Sequence, residues 1–369
     1  MSRSQQEGRD LTVLASFARP RPTTNPYIVM LGQALGRQDG LRLAYFSWKH
    51  ALVGHFDVFH VHWPELLVAG KPGPKLAGRQ LLFLLVLTRL SICRIPVVRT
   101  LHNIRPHHGG GPIERFLLRR LDRRTVGWIR LNPLTKSPDD ARTATILHGH
   151  YIDWFARYEQ PPAQPGRLAF AGLIREYKNI PALIRAFSGM GESYELRIVG
   201  SPSTEQLAVS LADLAAGNSR ISVSFRYVSD AELAQEIGRA ELVVLPYAEM
   251  HNSGAALMAL SMQRPILTPD NEITSLLGAE VGPGWVYRYT GALASSDISA
   301  AIADVRANRG KSAPELSGRD WDHAGSAHLA VYLAALRLRR SGRTSRTRPL
   351  GGVACQVNAP GRNEVNAVK

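Results

Sequence analysis

Short apolar runs alternate with helix-spaced segments along almost the whole chain, and that alternation leaves few architectures open. Runs 11–15, 56–62, 96–101 and 145–147 read as strands, with helical spacing at 27–35, 79–90 and 113–126. A second series has strands at 167–171, 195–199, 221–225, 241–245 and 265–268, with helices at 179–189, 204–215, 230–238, 254–262 and 297–307. Strands separated by crossover helices build parallel sheets. Segment 158–166 is proline-rich and poor in apolar side chains, so it reads as a linker between two α/β halves. The expected organisation is a first domain over 1–157, the linker 158–166, a second domain over 167–320, a helix over 321–338 and a basic tail over 339–369. That tail is too polar to build a core and is expected to be disordered.

Charge divides the chain unevenly. Of 369 residues, 45 are Lys or Arg and 30 are Asp or Glu, a net charge of +15. Residues 1–160 hold 23 basic against 11 acidic side chains, whereas residues 161–309 hold 12 against 15. A basic first half suits an anionic surface, either membrane headgroups or nucleic acid. Two cysteines, Cys93 and Cys355, cannot build a disulfide framework or a metal cluster, which fits a reducing compartment. The start of the chain lacks the pattern of a secretory signal. The most apolar run, 81–90, is far short of the roughly 20 residues a membrane span needs. The chain is therefore expected to lie on a membrane rather than cross it. Helix 113–126 carries Arg115, Arg119, Arg120, Arg123 and Arg124 around Phe116, Leu117 and Leu121, the pattern of a helix lying on an anionic membrane surface.

In open parallel sheets, ligands sit beyond the carboxyl ends of the strands. Two loops at such ends in the second half suit a nucleotide diphosphate. After strand 241–245 comes Tyr247 to Gly254, and a helix begins there. Small residues Asn252, Ser253 and Gly254 let an anion approach the unpaired N–H groups of the first turn. After strand 167–171, Gly172, Arg175 and Lys178 offer a close backbone and two cations. Glu249 suits ribose hydroxyls or is a solvated loop acid. Gly200 suits the donor or is a simple turn. Tyr227 flanks a base or packs in the core.

In the first half, Glu65 follows a strand end beside His62 and Trp63. A carboxylate near an aromatic suits a general base that takes a proton from an attacking hydroxyl. Asp57 lies at the wrong end of that strand. His102 and Asn103, after strand 96–101, are candidates for orienting an acceptor. Asn25 and Tyr27 open a helix and could touch the acceptor too, although Asn is also a good N-cap. His107 and His108 lack carboxylate partners at metal-binding spacing, so no metal site is expected.

The Gly-x-x-Arg-x-x-Lys loop around Gly172, the Pro246-Tyr247 to Ser253-Gly254 loop, and Arg264-Pro265 resemble the GT-B glycosyltransferases, over roughly residues 10–338. The segments 56–65, Leu101-His102-Asn103, His148-Gly149-His150-Tyr151 and Asn252-Ser253-Gly254 are similar, more narrowly, to the bacterial exopolysaccharide mannosyltransferases, such as those of xanthan assembly. This resemblance implies two Rossmann-like domains facing a central cleft and closing around donor and acceptor. It implies GDP-mannose as donor, β-mannosyl transfer with inversion, and no cofactor. The implied acceptor is a polyprenyl-diphosphate-linked oligosaccharide ending in glucuronic acid. The implied location is peripheral, at the cytoplasmic face of the inner membrane, on anionic lipid. Retaining GT-B enzymes carry two glutamates eight residues apart around this loop. Here the second position falls on Met258 or Ala259, which favours inversion. Two other readings stay open: a retaining transferase using another nucleotide sugar, and a basic nucleic-acid-binding protein. The second expects aromatics interleaved with the basic residues, and 113–126 offers only Phe116.

Overall fold

The computed structural model describes residues 10–102, 111–248, 250–308 and 312–340. They divide into two compact units. One runs up to Leu147 and resumes at Gly318; the other is His148–Ser317.

The first unit holds a six-stranded parallel sheet: β1 (Leu11–Ala15), β2 (Leu41–Ala44), β3 (Val58–Val61), β4 (Val97–Leu101), β5 (Thr125–Arg130) and β6 (Thr143–Thr145), in the order β2-β1-β3-β4-β5-β6. Strands β1 and β3 are buried along their whole length, which is why they read as continuous apolar runs. A core of Leu14, Phe59, Val61, Phe83, Leu87 and Leu117 joins β1 and β3 to the helices Pro74–Ile92 and Pro112–Asp122. The helix Trp321–Arg340 packs against Pro26–Gly36 and against β3, β4 and β5. It belongs to the first unit although the whole second unit precedes it in the chain.

The second unit repeats the scheme with β7 (Arg167–Ala171), β8 (Glu195–Val199), β9 (Ile221–Ser224), β10 (Leu242–Val244), β11 (Ile266–Pro269) and β12 (Val286–Tyr289), in the order β12-β11-β10-β7-β8-β9. All its pairings are parallel as well.

Three strands were not expected. Two are the edge strands β2 and β12, with Arg42 and Arg288 inside them. The third is β5. The helix read over 113–126 ends at Asp122, and Thr125-Val126-Gly127-Trp128-Ile129-Arg130 continues as β5 because β-branched and aromatic side chains favour a strand. The unit boundary falls at Leu147, ten residues before the proline-rich segment. That segment packs inside the second unit: Gln164 N–H donates to the Arg239 carbonyl at 2.8 Å, and Arg264 reaches the Pro161 carbonyl at 3.0 Å. Beyond Arg340 the expected basic tail lies outside the described residues.

Candidate active site

In each sheet the chain departs to one side and then to the other, leaving a crevice at the carboxyl ends of two neighbouring strands. In the first unit these strands are β1 and β3; in the second they are β7 and β10.

At the β1/β3 ends, Ser16 Oγ accepts from the His62 N–H at 2.8 Å and donates to the His62 carbonyl at 2.9 Å. This fixes the turn that carries His62, Trp63 and Glu65. Trp63 has φ of 36°, a left-handed conformation unusual for a bulky residue. Such strain persists only where surrounding contacts hold it, and it clusters at functional sites. The Trp63 indole stacks on His102, with ring centres 3.9 Å apart and planes 20° from parallel. Tyr27 stands edge-on to His102 at 5.4 Å, and His62 Nδ1 lies 2.9 Å from His102 Nε2. Asn25 caps the helix Pro26–Gly36, its side chain accepting from the Tyr27 N–H at 3.0 Å, so its N-cap role is real. The structure thus gathers Tyr27, His62, Trp63 and His102, and it gives Asn25 a local structural task.

Behind this corner lies a buried polar chain. Tyr332 Oη is 2.7 Å from His60 Nδ1, and His60 Nε2 is 2.8 Å from Thr100 Oγ1. Burial holds the Tyr332 phenol well above its usual range, and it holds His60 well below its own, so both are neutral. Burial, with His328 second, lowers His62 to about 3. Glu65 opens the short helix Glu65–Val68 and lines a pocket of about 510 Å³ with Trp63, Thr100, His102 and Trp128. Asn103, His107 and His108 lie outside the described residues.

At the β7/β10 ends the two loops are tied together: Ala248 N–H donates to the Tyr177 carbonyl at 2.8 Å. Lys178 is buried, with its Nζ 5.2 Å from the Tyr247 ring centre and 5.6 Å from that of Phe170. Burial, with Arg175 second, lowers its pKa to about 8. No carboxylate among the described residues pairs with Lys178 or Arg175. A buried ammonium held only by aromatic faces is incompletely compensated. Ser253 caps the helix Gly254–Ser261, its Oγ accepting from the Ala256 N–H at 3.2 Å. The Tyr247 hydroxyl is buried beside Ser253 without a well-formed hydrogen bond. Asn252, Ser253 and Gly254 are half-buried at the head of that helix.

Two expected donor residues stand apart. A Cβ on Gly200 would lie 1.7 Å from the Gly172 carbonyl oxygen, so glycine there permits the loops after β7 and β8 to approach. Tyr227 is largely exposed, and no described contact joins it to the Lys178 cluster. Glu249 lies outside the described residues. Tyr151 closes the His148-Gly149-His150-Tyr151 segment, but sequence reasoning gave it no role in the site. Its hydroxyl stands 3.3 Å from where a Cβ on Gly254 would be.

On the cationic helix, Arg115, Arg119, Arg120 and Arg123 are exposed, as are Ile113 and Phe116. Arg124 differs. It donates to Ser91 Oγ at 2.7 Å and to the Leu90 carbonyl at 3.1 Å, and so binds the end of the helix Pro74–Ile92 rather than a surface. No helix among the described residues is long and apolar enough to cross a membrane. Nor do those residues contain a grouping of three His, Cys, Asp or Glu side chains able to hold a metal ion.

No family model matches the chain. Solved structures share its fold at low identity. Anabaena HepE in complex with UDP-glucose aligns at TM-score 0.58 and 12% identity, over 90% of this chain and 99% of that one. The sucrose-phosphate synthase of Thermosynechococcus elongatus aligns at 0.55 and 14%, over 90% and 99%. AviGT4, from avilamycin A biosynthesis, aligns at 0.52 and 13%, over 88% and 98%. With two parallel sheets, each opening a crevice where its strand order reverses, the chain has the GT-B fold. Sequence narrows this further. The chain is 43% identical over 327 residues to the GDP-mannose:glycolipid 4-beta-D-mannosyltransferase of Xanthomonas campestris pv. campestris, covering 88% of this chain and 93% of that protein. It belongs to that mannosyltransferase family.

Proposed function

We propose that this enzyme moves mannose from GDP-mannose to a lipid-linked oligosaccharide, forming a β-linkage with inversion at the anomeric carbon. The acceptor in this reading is a polyprenyl-diphosphate-linked oligosaccharide ending in glucuronic acid, an intermediate of exopolysaccharide assembly. The relatives' name supplies donor and glycolipid. The observation that carries the chemistry is Lys178, a buried cation at the β7/β10 ends without a carboxylate partner among the described residues.

The second unit binds the nucleotide. Lys178 and Arg175 attract the diphosphate, and the N–H groups at the start of Gly254–Ser261 receive it. The same groups stabilise the charge that grows on the diphosphate as the glycosidic bond breaks. That electrostatic work requires no divalent ion. Glu249 and Asn252 serve the rest of the donor. Gly200 acts through loop packing.

The first unit binds the acceptor through Tyr27, Trp63 and His102, with His62 holding His102. Glu65 takes the proton from the attacking hydroxyl, which adds to the anomeric carbon as GDP departs. Transfer with inversion needs one base and no covalent sugar–enzyme intermediate, consistent with the absence of the second glutamate at Met258 or Ala259. The exposed Arg115, Arg119, Arg120 and Arg123 hold the protein on the anionic inner-membrane surface, at the cytoplasmic face where its acceptor lies.

The test is transfer of labelled sugar from GDP-, UDP- and TDP-sugars to lipid-linked oligosaccharides, with and without EDTA, followed by β-mannosidase digestion of the product. Incorporation from GDP-mannose alone, unaffected by EDTA and released by the β-mannosidase, is expected. An α-linked product would replace this mechanism with a retaining one.

A further inference from the structure

The donor crevice contains a group to which neither the motifs nor the relatives' names give a role. Tyr151 is only 5% exposed. Its backbone N–H donates to Ser261 Oγ at 2.8 Å, which anchors it to the far end of the helix Gly254–Ser261. Its hydroxyl returns to the other end, 3.3 Å from where a Cβ on Gly254 would stand. Among the described residues this hydroxyl has no hydrogen-bond partner. The Tyr247 hydroxyl is buried beside Ser253 without a well-formed hydrogen bond. Two consecutive residues at the head of one helix, Ser253 and Gly254, thus each have a phenol next to them: Tyr247, buried with its hydroxyl against Ser253, and Tyr151, whose hydroxyl has no partner among the described residues and is not sealed from solvent. A tyrosine this buried ordinarily finds a partner for its hydroxyl, so the free Tyr151 hydroxyl at a helix N-terminus, with a second phenol beside it, points to a ligand that accepts hydrogen bonds.

Glycine at 254 fits the same picture. Its backbone conformation does not call for glycine, but a methyl group there would crowd Tyr151 Oη. Burial raises both phenols far above their usual range, so each remains a neutral donor at any physiological pH. A neutral donor stabilises a growing negative charge without surrendering its proton.

We propose that Tyr151, together with Tyr247, is a diphosphate-binding residue whose hydroxyl donates to a phosphate oxygen seated at the N-terminus of the helix Gly254–Ser261. This rests on the second unit being the donor site, and it adds two directed donors to Lys178 and the helix.

The experiment is equilibrium binding of GDP, guanosine and inorganic pyrophosphate to the wild type, Tyr151→Phe, Tyr247→Phe and Gly254→Ala. Each Phe variant should bind GDP and pyrophosphate about tenfold more weakly, as for the loss of one hydrogen bond to a charged group. Guanosine binding should not change. Gly254→Ala should weaken the same two ligands by crowding the hydroxyl, and it covers the case in which a Phe variant fails to fold. Wild-type affinity for GDP and pyrophosphate in Tyr151→Phe would overturn the inference and leave the donor reading intact. If the wild type binds pyrophosphate but not GDP, the GDP reading falls and the pyrophosphate series still decides on Tyr151. If it binds neither, both fall.

Discussion

The two units solve the same topological problem with opposite chemistry. Each opens a crevice between the strands where its sheet reverses order. The basic first half fills that crevice with aromatic rings and histidines that burial keeps neutral. The more acidic second half fills it with a buried lysine that has no described carboxylate partner. On the proposed function, net charge would say where this chain meets a charged surface, not where it binds an anion. On that reading, the exposed arginines of Pro112–Asp122 would act through a screened long-range field, whereas Lys178 would act at contact, out of water, where a single charge has a much larger effect.

The sharpest way to break this contrast lies in the first unit. Glu65→Gln should lower the rate of transfer by about 10²–10⁴-fold, the usual contribution of a general base, with GDP affinity unchanged. Turnover near wild type would remove Glu65 from its role. Next comes Lys178→Met, for which transfer should fall about 100-fold through lost diphosphate binding. The same substitution should raise the melting temperature of the ligand-free protein, because it deletes a buried charge that has no carboxylate partner among the described residues.

Stability should also depend on pH through this lysine. Its pKa is about 8 when folded and 10.5 by reference, so the unfolded chain binds more protons between those values. Stability should therefore rise from about pH 8 to about pH 10.5, by up to about 3 kcal/mol, and the rise should vanish in Lys178→Met. Denaturant titrations across that range would show it.

Smaller effects separate neighbouring residues. Trp63→Ala should raise the KM for the glycolipid about tenfold, as for lost ring stacking, while GDP binding holds. Arg124→Ala should cost about 1–2 kcal/mol in denaturant unfolding, because two hydrogen bonds to the end of Pro74–Ile92 are lost, without changing vesicle binding. Joint replacement of Arg119, Arg120 and Arg123 by Ala should do the reverse. It should release the protein from anionic vesicles by about 1 kcal/mol per charge and leave stability nearly unchanged. If Arg124→Ala released it equally, the structural assignment of Arg124 would fail.

The legibility of the chain follows from what each feature depends on. Strands buried on both faces, such as Leu11–Ala15 and Val58–Val61, declare themselves because nearly every residue is apolar. The edge strands Leu41–Ala44 and Val286–Tyr289 do not, since half their surface meets water and tolerates Arg42 and Arg288. The head of Gly254–Ser261 was readable because capping and close approach are local properties. The burial of Lys178 was not, because a lysine after Glu176 and Tyr177 looks like any solvated turn, and only the fold places Phe170 and Tyr247 around it. Tyr151 was hidden for the same reason: it meets Gly254 across about a hundred residues of chain. The link from Tyr332 to His60 spans 272 residues, beyond any local pattern.

The uncompensated lysine is best tested by titrating GDP into wild-type and Lys178→Met protein at pH 7, with guanosine as the control. The wild type should bind GDP about 100-fold more tightly than the variant, with equal affinities for guanosine. Equal GDP affinities in the two proteins would mean that Lys178 does not face the diphosphate, and the donor site would have to be sought elsewhere in the second unit.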